Sequence, residues 1–523
     1  RLLEDDRWAD HWVSYWQDVL AENPNLLKPS LNNSGPFRFW IFESLLDNLG
    51  MDQFVTELVM MEGSSSAGAP AGFGLASQND VPMAAKAHIL GTAFLGVEMK
   101  CARCHDAPYH SSLQKDLFQI AAMLERETLT LPESSTVPQT TFAGRKPLIP
   151  ITLKPGDKID PGWPFEEFSQ GELEHWVVRK KGDTRERLAG MLTSPHNERF
   201  ARVIVNRVWK RLMGAGFVDT VEDWEASDPL YPQLLEWLAA DFVVKGYDLK
   251  AVARSIMNSH AYQRKARVLG AGETPVFDAP VQRRMEAEQV VDSMLVAVGV
   301  EMDTEELTFD ADGRQPAKTM ASLGYPRRAW EFTSLSNERD RPSLALPKAQ
   351  AVVDTLANFG WRGSRQEPKS VRESAANVRQ PAILANGTLG RRVMTLSEDS
   401  AMTALATRDE ASVSGLIDAV FLRVLTRKPT AQEQELYSGL LIEGFEGRIV
   451  PKKDRLAPVA REPLGWVSWS NHLSEEANRI VLEMEKRASE GDPPTAKLRP
   501  QWRERMEDML WAVLNSPEFI YLP

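Results

Sequence analysis

Apolar residues recur three or four positions apart along most of this chain, a period that fits helices and rules out strands for those segments. Trp8, Trp12 and Trp16 come every fourth residue and share one face of an N-terminal amphipathic helix, with His11, Tyr15 and Asp18 on the neighbouring stripe. Residues 39–49 and 54–60 read as two more short helices. Ile89, Leu90, Ala93, Phe94 and Val97 predict a single helix over 83–99, and 113–124 reads as the next. Further on, Phe200, Val203, Ile204, Val208 and Leu212 make one stripe closed by Gly214, a glycine suited to a helix C-terminus. The same rule covers 234–244, 249–257, 285–298, a helix carrying Leu416, Val420, Phe421 and Val424, and 501–514. Asp183-Thr184-Arg185-Glu186 and Thr430-Ala431-Gln432-Glu433 have the spacing of capping boxes, in which each end satisfies a backbone amide of the other.

Between these runs, 62–82 is rich in Ser, Gly and Pro and reads as a long loop. Residues 128–164 are rich in Pro and Thr, with 148–153 as a lone strand. Residues 360–378 and 485–500 are charged and read as exposed loops. The predicted fold is mainly α: two helical domains joined by an irregular Pro-rich connector, with little β structure. The N-terminal domain takes 1–130, the connector 131–182 and the C-terminal domain 183–523. A length of 523 residues is ample for two cores.

Both cysteines of the chain fall in Cys101-Ala102-Arg103-Cys104-His105. Two thiols three residues apart can each add to a haem vinyl group, and the next residue presents an imidazole to the iron. In this leading reading Cys101 and Cys104 anchor a haem c and His105 is the proximal ligand. A small disulfide, a thioredoxin-like pair and a zinc site with His105 and His110 are the other readings. Structural zinc wants four protein ligands and there is no second Cys pair, so zinc is the lesser cofactor. A thioredoxin-like pair expects a βαβ setting, whereas the approach to Cys101 reads as helix.

For the sixth iron position His11 is the first candidate, on its aromatic helix; its bland alternative is an N–H bond within the core. Met123 is the runner-up: a thioether would raise the potential, though methionine on an apolar stripe is ordinarily core. An unbroken helix over 83–99 would put His88 about 20 Å from Cys101, which disfavours it. His110 follows His105 too closely to reach the opposite face of the ring. The position could also be open, which would suit a haem oxidoreductase.

A net charge of −12 with scattered Lys and Arg excludes nucleic acid as a partner. No apolar run is long enough to cross a bilayer. The chain begins at Arg1 without a signal peptide and reads as a processed product. Fifteen Trp could stack on sugars or simply fill cores. Asn206, Arg207 and Trp209 invite a functional label, but an arginine on a buried helix more often joins elements through a carboxylate. Arg327 and Arg328 could hold anionic groups such as haem propionates, or cap a loop. No nucleophile elbow, phosphate loop, dinucleotide fingerprint or zinc-protease helix is present, so the sequence does not say whether the protein is an enzyme.

Arg7-Trp8-Ala9-Asp10-His11-Trp12, Phe94-Leu95-Gly96-Val97 leading to Cys101-Ala102-Arg103-Cys104-His105-Asp106, and Gln114-Lys115-Asp116 resemble a known family. So do Leu192-Thr193-Ser194-Pro195, Val205-Asn206-Arg207-Val208-Trp209, Gly246-Tyr247-Asp248-Leu249-Lys250, Tyr325-Pro326-Arg327-Arg328, Leu384-Ala385-Asn386-Gly387 and Leu514-Asn515-Ser516-Pro517-Glu518-Phe519. The family consists of large extracytoplasmic proteins, abundant in planctomycetes, that pair two domains of unknown function and often carry a separate cytochrome c domain. The resemblance spans nearly the whole chain. It implies an extracytoplasmic location, periplasmic or cell-surface, and with the haem motif an electron-transfer role beside a redox partner protein or membrane-associated complex. The family's fusions to carbohydrate-binding modules imply an alternative, a polysaccharide- or surface-associated scaffold subunit. One departure stands out: where the family continues Cys-His-Asp-His-Pro, this chain has Ala107 for the second histidine.

Overall fold

The computed structural model describes residues 1–523 apart from 23–36, 64–68, 76–80, 138, 147, 170–172, 174–178, 181, 226, 271, 310–320, 333–345, 364, 366, 409–411, 457–460, 466, 468–470 and 523. It is 52% helix and 3% strand, with 20 helices and no closed sheet among the described residues, as the periodicity predicts. The chain divides into two compact units, Arg1–Gln282 with Arg365–Val371, and Arg283–Ser364 with Arg372–Pro523. These units are drawn differently from the 1–130, 131–182 and 183–523 division. Described residues of the Pro-rich stretch pack into the first unit, where the Ser135 carbonyl and the Leu153 amide bond to the buried Gln114 side chain.

The first unit holds α1 (Arg7–Val19), α2 (Arg38–Leu46), α3 (Met51–Met60), α4 (Ala71–Leu75), α5 (Pro82–Leu90), α6 (Gln114–Glu125), α7 (Thr184–Thr193), α8 (Glu198–Met213), α9 (Pro232–Val244) and α10 (Leu249–Met257). α1 packs on α2, α3 on α7, α5 on α6, and α8 on both α9 and α10. The tryptophan face of α1 is the centre of this core. Trp16 meets Phe54 and Phe94 at 5.8 and 6.3 Å between ring centroids, and Phe94 meets Phe200 at 6.1 Å. Burying each such ring stabilises the unit by roughly 2–3 kcal/mol. A two-residue antiparallel pair, β1 (Leu129–Thr130) with β2 (Lys158–Ile159), closes the start of the Pro-rich stretch. Residues 148–153 form no strand, and Leu148 is exposed.

Two local expectations change. The helix predicted over 83–99 ends at Leu90, continues as one π-turn over Gly91–Leu95, and stops at Gly96 with φ +63°. At α7 the Asp183 carboxylate accepts from the amides of Arg185 and Glu186, but Glu186 reaches back to the amide of Lys180, so only half of the predicted box forms.

In the second unit, α11 (Ala287–Val298) packs against Pro347–Asn358, and Val413–Val424 against Ala431–Leu441 and Pro500–Leu514. Val291, Leu295, Leu356, Ile417, Val420, Met506 and Leu510 belong to its core. Thr430 and Glu433 make the complete capping box. Three of the loop predictions need revision: Glu475–Glu490 is helical into the predicted 485–500 loop, Ala71–Leu75 is helical within 62–82, and Arg365 is buried within 360–378.

Candidate functional site

The cysteine turn hangs from the π-turn. Past Gly96 the chain doubles back along α5: the Val97 amide donates to the Gly91 carbonyl at 3.1 Å, and the Met99 thioether lies over Gly91. Gly96 is pressed against Trp224, whose amide donates to the Gly96 carbonyl at 2.9 Å. Cys101–Arg103 then forms one 3-10 turn, with the amides of Cys104 and His105 both donating to the Cys101 carbonyl at 3.2 Å. Three residues per turn bring Cys101 and Cys104 to the same side. Both are half-buried free thiols. The His105 ring is set by a 2.8 Å bond from Nδ1 to the Asp106 carbonyl. A carbonyl only accepts, so the proton sits on Nδ1 and the Nε2 lone pair is left for a metal. Free paired thiols and an imidazole with Nε2 available fit the demands of a covalently held haem.

Buried groups of the Pro-rich stretch support this turn. Asp106 is buried; its Oδ1 accepts from the Gln114 amide at 2.8 Å and the Thr152 hydroxyl at 2.9 Å, and its own amide donates to the Pro150 carbonyl. Gln114, fully buried, donates from Nε2 to the Ser135 carbonyl at 3.0 Å and accepts from the Leu153 amide at 3.2 Å. Arg103 Nε donates to the Ser135 hydroxyl at 3.2 Å. Ser135, Pro150, Thr152 and Leu153, from the stretch read as a connector, thus flank the turn.

The other flank comes from far along the chain. Lys100 is paired with Glu367, and that hydrogen bond holds the Glu367 carboxyl below its usual range. Ser370 donates from its amide to Glu222 at 2.7 Å. Glu222 stands 3.8 Å from Nη1 of Arg207, which is 1% exposed. Arg207 donates to the Ala93 and Thr92 carbonyls at 2.9 Å each and to the Tyr15 hydroxyl at 3.3 Å, so it clamps the π-turn whose backbone lacks part of the helical ladder. Arg365 reaches Asp18 at 2.6 Å and Glu22 at 3.7 Å, all three nearly inaccessible. Burial pushes the Glu22 carboxyl up, and Arg38 and Arg365 oppose this. Sequence reasoning missed Arg365 and the 365–371 segment, because nothing in its charged composition distinguishes it from a solvated loop.

The remaining predicted residues fall as follows. His110 Nε2 is bonded to Asp223 at 2.9 Å, and the Ala107 amide donates to the Ser112 carbonyl. His11 is half-buried one turn before Tyr15, its ring edge-on to Trp12 and its carbonyl accepting from Arg211 at 2.7 Å. Met123 is buried near the far end of α6, about 13 Å along the helix from Gln114 by its rise per residue. His88 is mostly buried, 3.3 Å from the Thr92 hydroxyl and 3.7 Å from the Glu98 carboxylate; burial lowers its pKa. The fold-back at Gly96 removes the straight-helix distance that disfavoured it. Among the described residues no group of three His, Cys, Asp or Glu side chains is arranged to hold a metal ion.

Asn206 bonds both ways to the Val218 backbone, and Trp209 packs on Phe217 with centroids 4.4 Å apart. Arg327 and Arg328, in the second unit, make local loop bonds to Glu331 and to the Arg327 carbonyl. Trp8, Trp12, Trp16, Trp40, Trp163, Trp209, Trp224, Trp330 and Trp502 are buried, and the exposed Trp237 and Trp511 belong to different units. Most of the described tryptophans are therefore core.

These features describe a mainly helical protein of two compact units whose two cysteines form a C-x-x-C-H turn. Residues 1–128 match the family model of PSCyt2, a protein of unknown function (DUF1549), and residues 184–441 match that of PSD1, a protein of unknown function (DUF1553). This pairing of two domains of unknown function is consistent with the planctomycete-type family that the motifs resemble. No curated protein and no solved structure matched the chain. Among the described residues no helix is long and apolar enough to cross a membrane.

Proposed function

We propose that this chain carries one haem c, attached through Cys101 and Cys104 with His105 as proximal ligand, and acts in electron transfer outside the cytoplasm with a redox partner protein or membrane-associated complex. The observation that carries this reading is the Nδ1 bond of His105 to the Asp106 carbonyl beside two free thiols on one turn. Bound there, the haem would supply a one-electron couple. The chain's own part is to anchor it, hold the imidazole in one tautomer, and brace the turn through Asp106, Gln114 and Arg207. For the sixth position His11 would be the first candidate and Met123 the runner-up, and His88 joins them because the fold-back at Gly96 removes the straight-helix separation.

A pyridine haemochrome spectrum of protein matured in a cytochrome-c-competent host is expected to show one covalent haem. A pure, folded product with no Soret band overturns the reading, as does Cys101→Ala with attachment unchanged. His11→Ala and His88→Ala separate the axial candidates: the variant that turns a low-spin iron high-spin identifies the ligand. Rapid carbon monoxide binding by the unaltered protein would instead identify an open sixth site and favour a haem oxidoreductase. The scaffold reading with surface-bound polysaccharide has less support, since the described tryptophans are mostly buried.

A further inference from the structure

Beside the chain that leaves α11, the second unit holds a cavity of about 1230 Å³ lined by six carboxylates and only two arginines. The volume lies above the roughly 300–1,000 Å³ usual for compact small-molecule sites, so an extended ligand has room. Backbone bonds fix its edges: the Thr495 amide donates to the Leu396 carbonyl at 2.7 Å, and the Val450 amide to the Lys497 carbonyl at 2.8 Å. The cations of the wall already have partners. Arg392 bonds to Asp492 at 2.8 Å, and Arg503 stands 3.4 Å from Glu507. Two more carboxylates are paired with lysines from outside the wall, Asp303 with Lys348 and Glu398 with Lys497 at 2.7 Å. That leaves Glu301, Asp399 and Asp454, whose carboxylates have neither an ion pair nor a hydrogen bond among the described residues. Lys452 and Lys453, next to Asp454 in the chain, are exposed and outside the wall.

Ser397 points to a ligand independently of these charges. It lines the same cavity and is only 8% exposed. Its amide donates to the Thr395 carbonyl and its carbonyl accepts from the Thr403 hydroxyl, but its own hydroxyl has no partner among the described residues. A buried hydroxyl ordinarily has a partner, and its lone pairs can accept from a cation. Met302 and the buried Leu498 add apolar surface to the wall. The carboxylates are not gathered round one point, since no three His, Cys, Asp or Glu side chains among the described residues are placed to hold a metal ion. Negative charge spread over a partly apolar wall fits cations spaced along a hydrocarbon chain better than it fits one compact ion.

We propose that this cavity binds an aliphatic polyamine, with ammonium groups donating to Glu301, Asp399, Asp454 and the Ser397 hydroxyl, and methylene segments against Met302 and Leu498. The site lies within the second unit and does not depend on the haem reading.

Calorimetric titration of the full chain with spermidine tests this at about 150 mM salt, where screening suppresses loose attraction to an acidic protein. Spermidine is expected to bind one-to-one, at least about tenfold more tightly than n-butylamine or magnesium chloride. Glu301→Gln and Asp399→Asn should each weaken it by about fivefold or more, and Ser397→Ala by about two- to threefold. Glu435→Gln removes the same charge from an exposed position outside the cavity and should leave the affinity unchanged. The melting temperature of each variant shows that it is folded. No saturable binding of spermidine up to about 10 mM overturns the proposal. So does butylamine or magnesium binding as tightly as spermidine, affinity that the Glu301 and Asp399 variants leave unchanged, or a loss in Glu435→Gln as large as theirs.

Discussion

Lys86 is a single side chain whose charge is decided by burial. It is 2% exposed on α5, with its ammonium nitrogen 4.5 Å from the Phe73 centroid, and burial lowers its pKa from 10.5 to about 7. The unfolded chain therefore binds more protons than the folded one between about pH 7 and 10.5, and stability rises with pH across that window. The cost is complete below about 7 and vanishes above 10.5. Lys86→Met is expected to stabilise the protein by roughly 3–5 kcal/mol near pH 7 and to flatten that rise. Urea unfolding at several pH values checks it; a variant that keeps the parent's slope would mean that Lys86 is charged and solvated. Cys101, Cys104 and His105 were legible at this scale because their chemistry is contiguous. Arg365 was not, since it takes its meaning from partners outside its own turn.

Elements show where periodicity stops being enough. The apolar spacing over 83–99 is unbroken, yet the regular helix ends at Leu90, because a π-turn and Gly96 keep Ala93 and Phe94 facing inward while the backbone reverses. Gly96 is required twice over: its φ is +63°, and a Cβ there would lie 2.3 Å from Cδ1 of Trp224. Gly96→Ala is expected to cost about 2–4 kcal/mol, from left-handed strain plus displacement of the indole, and to shift the tryptophan emission. A loss under about 0.5 kcal/mol would show that the reversal does not depend on this contact. At the complete capping box, Thr430→Ala should cost about 1 kcal/mol in the same denaturation experiment, because one first-turn amide loses its acceptor.

For the whole molecule, the notable feature is that the first unit is completed by Arg365–Val371. Arg365 is buried against Asp18 and Glu22, so removing it takes a cation away from two carboxylates in a low-dielectric interior. Arg365→Met is expected to destabilise the protein by about 3–5 kcal/mol, and Asp18→Asn added to it should recover part of that loss. Strict additivity of the two changes in thermal or urea unfolding would show that the pair is uncoupled. The same segment brings Glu367 to Lys100 beside the cysteine turn, so the unit's integrity and the site's flank rest on residues that composition assigns to a solvated loop.

What the sequence determined by itself is local: the helical period, the cap at Thr430, the glycine that ends α8, and a C-x-x-C-H motif. Each depends on residues within a turn or two of one another, where backbone geometry leaves few choices. The tertiary structure alone decided that Arg207 clamps the Thr92 and Ala93 carbonyls, that Asp223 occupies His110, that Ser135, Pro150, Thr152 and Leu153 brace the turn, and that Arg365–Val371 belongs to the first unit. These pairings join groups far apart in the chain. Which buried polar group meets which partner follows from how whole faces pack, and the pattern of either segment alone carries no record of that choice.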